Sequence, residues 1–154
     1  MNYWLLKSEP DEFSINQLKA RETEEWTGVR NYQARNFMRE MKLGDQIFFY
    51  HSSCAEPGVV GIGKIARVAE ADPTQFDAEG DYFDAKSTAD APRWSSVLVG
   101  YVRHTLRPIS LDRLRANVET LPGFALLNRG NRLSVLPVSA AEWRAVLKLE
   151  KPST

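Results

Sequence analysis

A single cysteine, Cys54, is all the thiol chemistry in 154 residues. One thiol closes no internal disulfide, which excludes a secreted, disulfide-stapled scaffold. Histidine is nearly as scarce. His51 and His104 are the only two, and neither has a partner at the spacing of a zinc site. No metal and no cofactor are therefore expected. Asp77-Ala-Glu79-Gly-Asp81 begins like a calcium loop, but Tyr82 stands where the turn glycine belongs and Thr88 where the closing glutamate belongs. An acidic surface loop fits better. Gly61-Ile-Gly63 lacks the third glycine of a dinucleotide fingerprint, and no helix follows it. Long apolar runs are missing too. No stretch approaches the roughly 20 apolar residues of a membrane span, and the opening apolar run is too short for a signal peptide before Lys7-Ser8-Glu9-Pro10 closes it. A cytoplasmic protein with no membrane partner is the expectation.

An excess of one charge is also lacking: 20 basic residues balance 20 acidic ones. A generic nucleic-acid binder is usually basic, yet a neutral total can hide two faces. Seven acidic residues and one lysine lie between Glu70 and Asp90, whereas Arg30, Arg35, Arg39 and Lys42 cluster in one segment and Arg103, Arg107, Arg113 and Arg115 in another.

What is present is a core. The chain is 43% apolar with four Trp, five Tyr and seven Phe, enough for one domain of ordinary size. Residues 1–150 are expected to form it, with 151–154 as a flexible tail. Residues 2–7, Asp45–His51, Val59–Val68, Trp94–His104 and Leu133–Val138 have the composition of strands. Asp45–His51 is apolar on both faces and should be central. The glycines at 61 and 63 suggest a tight barrel bend or a close backbone approach. Capping boxes at Ser14/Gln17 and Ser139/Glu142 open two helices, and Ser110 opens another. Asn31 is placed to cap a helix to about Lys42, stopped by Gly44, with Ala34, Phe37, Met38 and Met41 on one face. Strands this numerous, without regular helices between them, argue against a doubly wound parallel sheet. The fold class is α+β: a small, mostly antiparallel β pseudobarrel with peripheral helices.

The segment Trp26-Thr-Gly-Val-Arg-Asn-Tyr-Gln-Ala-Arg-Asn36 stands out. A loop tryptophan before a helix start offers a stacking face and an anion site together. Arg30 and Arg35 add phosphate-type donors. The competing reading is that Trp26 plugs the core and Asn31 is a plain cap. Polar clusters also fall at strand ends, at Lys7-Ser8-Glu9-Pro10, Tyr50-His51-Ser52 and Arg132-Leu-Ser134-Val135, where they can converge on a barrel mouth. His51 with Ser52 or Ser53 invites a hydrolase reading. Neighbours on a strand point to opposite faces, however, and no nearby acid orients the histidine.

Tyr3-Trp-Leu-Leu-Lys-Ser-Glu-Pro10, the Trp26–Asn36 run, Gly44-Asp45, Tyr50-His-Ser52, Tyr82-Phe-Asp84, Arg93-Trp94 and Arg132-Leu-Ser-Val135 closely resemble, in order and over essentially the whole chain, the EVE domain family. That family belongs to the PUA-like superfamily and is similar to the YTH readers of methylated adenine. The resemblance implies a PUA-like pseudobarrel. It also implies a non-catalytic pocket for a modified nucleobase, such as a methylated one, in DNA or RNA. Eukaryotic relatives are nuclear, and a stand-alone chain of this length looks bacterial. Carried onto this sequence, Trp26 is the expected aromatic wall, with Tyr32 or Trp94 as a second. Ser8, Asn31, His51 and Ser52 are the base-edge candidates, and Lys7, Arg30, Arg35 and Arg132 the phosphate contacts. Tyr32 and Trp94 fit core positions as well. The rival readings are a small PUA-like hydrolase or RNA-processing enzyme using His51 with Ser52 or Ser53, and a module for a free nucleobase-like ligand. The sequence does not show the oligomeric state; a monomer is the expectation.

Overall fold

The computed structural model describes residues 1–152. Its six strands are β1 (Tyr3–Ser8), β2 (Thr23–Trp26), β3 (Gln46–His51), β4 (Gly58–Ala71), β5 (Ser95–Ser110) and β6 (Val135–Val138). The helices are α1 (Ile15–Arg21), α2 (Tyr32–Glu40), α3 (Leu111–Ala116) and α4 (Ala140–Lys148). The strands make one sheet in the order β2-β5-β4-β3-β1-β6, antiparallel except for the β1–β3 pair.

The sheet curls. Trp26 on edge strand β2 is three strands from Phe49 on β3, which in a flat sheet is about 14 Å. Their rings nevertheless meet edge-on, with centroids 5.6 Å apart. The curl comes from β4 and β5, whose pairing shifts register at four places, and such irregularities increase local twist. Both glycine explanations hold at this bend. A Cβ on Gly61 would lie 2.5 Å from Ile15 Cδ1, and one on Gly63 would lie 2.8 Å from the carbonyl oxygen of Gly100.

The curled face encloses a first core to which every strand contributes, including Leu6, Trp26, Phe49, Ile65, Val97 and Val135, with Leu18 of α1 and Met38 of α2 packed in. The outer face of β1 and β3 carries a second core of Leu5, Phe48 and Tyr50, covered by Leu114 of α3 and by Trp143 and Val146 of α4. Two cores explain why β3 is apolar on both faces. Trp143 stacks on Phe48 at 3.9 Å and on Tyr3 at 4.6 Å. Both capping boxes form as predicted, and Asn31 caps α2 by accepting from the Ala34 amide at 3.0 Å.

Three expectations change. Trp26 is not in a loop but ends β2, opposite Val97. Helix α2 stops at Glu40, because the buried Met41 turns to extended backbone. Gly44, at φ +86°, then makes the turn into β3 rather than capping the helix. The Lys151 carbonyl accepts from Arg107 at 2.8 Å and from Arg113 at 3.2 Å. Ser153 and Thr154 lie outside the described residues. No helix among the described residues is long and apolar enough to cross a membrane.

Candidate functional site

At one mouth of the curled sheet lies a cleft of about 500 Å³, within the usual range for small-molecule sites. Its organising residue is Asp72, just past the end of β4 and fully buried. The carboxylate accepts from the Gly28 amide at 2.8 Å, from Arg30 Nη1 at 3.1 Å, and from the Thr74 amide and hydroxyl at 2.8 and 2.6 Å. Burial alone would push this carboxyl up, but the hydrogen bonds from Thr74, Gly28 and Arg30 together hold it below the ordinary carboxylate value. Asp72 thereby ties the connection between β2 and α2 to the acidic segment 72–84.

Arg30 completes that tie. Its Nε and Nη2 donate to the Tyr82 carbonyl at 3.1 and 2.8 Å, Nη2 also reaches the Thr74 hydroxyl at 3.0 Å, and Nη1 serves the Val29 carbonyl and Asp72. All the donors of the guanidinium are engaged, which leaves none for a phosphate. Arg30 is a clamp, held between the rings of Tyr82 at 5.5 Å and Trp94 at 5.4 Å.

The clamp positions an aromatic side chain. Gly28 has φ +82°, and a Cβ there would lie 2.8 Å from Tyr82 Cζ. The Tyr82 ring therefore packs directly on bare backbone, lining the cleft while 42% exposed. Trp26 also lines the cleft but is buried, locked edge-on between Phe49 and Phe13. Core plug and cleft wall, posed as alternatives by the sequence, are the same residue. Phe13, half-buried, lines the cleft beside it.

The cleft's polar lining is divided by charge. Glu9, Glu12, Glu24 and Glu25 come from β2 and from the connection between β1 and α1, whereas Lys7 and Arg132 come from β1 and from the segment before β6. Glu24 pairs with Arg21 at 2.6 Å, and Glu25 accepts from Ser96 Oγ at 2.8 Å. Burial lowers the Lys7 ammonium from its ordinary value, and its Nζ sits 5.9 Å from the Tyr50 ring centre. Among the described residues no carboxylate pairs with Lys7 or Arg132. Ser8, Ser52 and Ser53 line the same space, and the Ser8 hydroxyl donates to the Phe13 carbonyl at 2.6 Å.

Of the predicted residues, Lys7, Ser8, Trp26, Arg30, Ser52 and Arg132 meet at the cleft, and Asn31, Tyr32, Arg35, His51 and Trp94 do not. Tyr32 is half exposed rather than core and stacks on buried Trp94 at 4.7 Å. Arg35 lies over Tyr32 at 4.7 Å and donates to the Arg93 carbonyl at 2.8 Å. Trp94 donates through Nε1 to Asp84 at 2.8 Å. These three form a layer behind Arg30. His51 accepts from the Ile15 amide through Nε2 at 3.1 Å. That nitrogen is spent on the start of α1, so it cannot act as a base toward Ser52 or Ser53.

A family comparison decides the kinship: the EVE domain matches residues 2–149. The chain belongs to the EVE domain family. Thymocyte nuclear protein 1 of Gallus gallus is 46% identical, over 97% of this chain and 69% of its own length. The EVE fold here superposes on human THYN1 in complex with 5-methylcytosine-containing DNA with a TM-score of 0.95, at 42% identity and with complete coverage of both chains. It also superposes on a Pseudomonas syringae protein with a TM-score of 0.93, at 49% identity over 97% of this chain and 99% of that one.

The cleft residues to which the sequence assigned no role in this EVE domain are Phe13, the four glutamates and above all Tyr82. The signal for Tyr82 was its motif, since Tyr82-Phe-Asp84 is one of the runs that carry the family resemblance, an aromatic pair inside an otherwise acidic polar segment.

Proposed function

We propose that this chain is a non-catalytic module that accommodates a modified nucleobase of DNA or RNA in the cleft between Trp26, Tyr82 and Phe13. The observation that carries this reading is the human relative of near-identical fold held in complex with 5-methylcytosine-containing DNA. The cleft's chemistry supports it. A base must leave its stack, at a cost of a few kcal/mol unless already unpaired. An aromatic surface returns roughly 1–3 kcal/mol, and Tyr82 is the exposed ring positioned to supply it. One buried methyl adds only about 0.8 kcal/mol, a fourfold preference, so sharper discrimination needs fixed polar groups. The carboxylates suit the N–H donors of a neutral base, such as the cytosine amino group, and they repel phosphates. The strand's phosphates then belong beside Arg132 and Lys7. A cytoplasmic protein of bacterial type is part of the same reading, supported by the lone Cys54 and by the 49% identity to the Pseudomonas syringae protein.

The test is a titration of 5-methylcytosine, other methylated and unmodified oligonucleotides, DNA and RNA, against wild type and Tyr82→Ala. Wild type is expected to prefer one modified base, and Tyr82→Ala to bind it roughly 5- to 150-fold more weakly. Equal affinity for every base, or no loss on truncating Tyr82, would overturn the proposal.

A further inference from the structure

A second depression, of about 460 Å³, opens beside the first. Helix α2 supplies Gln33 and the segment before β6 supplies Asn128, Arg129 and Arg132. Arg132 lines both spaces, so a chain leaving the cleft on this side passes over its guanidinium.

The floor is hydrogen-bonded and the rim is exposed. Asn131 fastens the loop: its amide donates to the Asn128 carbonyl at 3.1 Å, its Nδ2 to the Ala125 carbonyl at 2.7 Å, and its Oδ1 accepts from the Leu133 amide at 2.9 Å. Gly130, at φ +77°, makes the reversal between the two arginines. Asn128, Arg129, Arg132 and Gln33 are exposed, and among the described residues their side chains make no hydrogen bond or ion pair. Guanidinium and amide groups uncommitted to the fold are available to a ligand at this depression. Guanidinium forks match phosphate oxygens, and side-chain amides match base edges and sugar hydroxyls.

We propose that this depression receives the nucleotide flanking the modified base on the same strand. Its phosphodiester lies between Arg129 and Arg132, and its base or sugar edge meets Asn128 and Gln33. This rests on the base-pocket reading and adds the direction in which the strand runs: out of the cleft, over Arg132 and across the start of α2. An acidic peptide does not fit the same path, because its neighbouring residues would enter a cleft lined by Glu9, Glu12, Glu24 and Glu25.

The experiment measures the salt dependence of binding for wild type, Arg129→Ala and Asn128→Ala. The probes are a short single-stranded oligonucleotide with one 5-methylcytosine, its unmodified counterpart, and free 5-methyl-2′-deoxycytidine. Losing one phosphate contact should flatten the slope of log K against log salt by about 0.7. Arg129→Ala is therefore expected to flatten the slope equally for both oligonucleotides, to keep their affinity ratio, and to leave nucleoside binding unchanged. Asn128→Ala should weaken oligonucleotide binding with no change in slope. An Arg129→Ala protein with the wild-type slope and affinity on both oligonucleotides would overturn the proposal. A base pocket without preference has a different signature, an affinity ratio of one in wild type, and the slope comparison on the unmodified strand still reads out.

Discussion

Gly28→Ala tests whether the Tyr82 ring is the working surface of the cleft. The substitution adds one methyl at a residue that is itself too small to contact a ligand strongly. It has two separable effects. The backbone at φ +82° is left-handed, which costs a non-glycine residue about 1–2 kcal/mol. For a chain of this size each kcal/mol lowers Tm by roughly 2–4 °C, so a drop of about 2–8 °C is expected. The second effect is steric. The new Cβ meets Tyr82 Cζ, Cε2 and Cε1 at 2.8–3.0 Å, and the ring must move off the backbone it packs on. Its stacking contribution, roughly 1–3 kcal/mol, should then be lost, weakening binding of the preferred modified oligonucleotide about 5- to 150-fold. The assay is a double-mutant cycle by fluorescence anisotropy, with Tm followed in parallel. If Gly28 acts through the ring, Gly28→Ala with Tyr82→Ala should bind no worse than Tyr82→Ala alone. Wild-type binding by a stable Gly28→Ala protein, or additive losses in the double variant, would refute the assignment of Tyr82.

Two further outcomes follow from the buried groups. Asp72→Asn strips the counter-charge from Arg30 and an acceptor from the Thr74 and Gly28 bonds; it should cost about 3 kcal/mol or more, read by denaturant unfolding. Stability should also fall on acidification, through His51 and His104, whose folded pKa values are both lowered by burial. Burial, with His104 nearby, lowers the folded pKa of His51 below 6.5, so its stabilising contribution is complete above pH 6.5 and is lost as pH drops through the folded value. His51→Gln, whose amide oxygen can still accept from the Ile15 amide, should shrink that acid loss in a Tm-against-pH series and leave the share due to His104.

What could be read from the sequence was mostly local. Capping boxes, the Asn31 cap and the two-faced apolar pattern of β3 depend on neighbours within a few residues, and all appear where predicted. Strand β2 was hidden because Thr23-Glu-Glu-Trp26 carries charge on an edge strand, and its apolar end is explained only by Val97 and Phe49, far along the chain. The site was half legible for the same reason. Motif positions named Lys7, Ser8, Trp26, Ser52 and Arg132, which all line the cleft. Whether an arginine is free or spent, however, depends on tertiary partners: Arg30 and Arg132 look alike in sequence, yet Asp72, Thr74 and Tyr82 consume one and leave the other open. Tyr32 and Tyr82 were likewise indistinguishable until the clamp beneath Tyr82 was seen.

The cleft draws its lining from residues 7–13, 24–30, 52–53, 82 and 132–134, so no contiguous fragment contains it. Its geometry exists only once β1 has paired with β3 in parallel and β2 has closed onto β5. Such long-range pairings make for high contact order and slow, concerted folding. A truncated or partly unfolded chain should therefore be blind to the ligand, and the ligand should act on the global unfolding equilibrium rather than on one local segment. At a hundredfold excess over Kd that linkage is worth about 2.7 kcal/mol. Under the proposed function, an oligonucleotide in the cleft is expected to act as a thermodynamic fastener for the whole sheet, joining its first strand to its last.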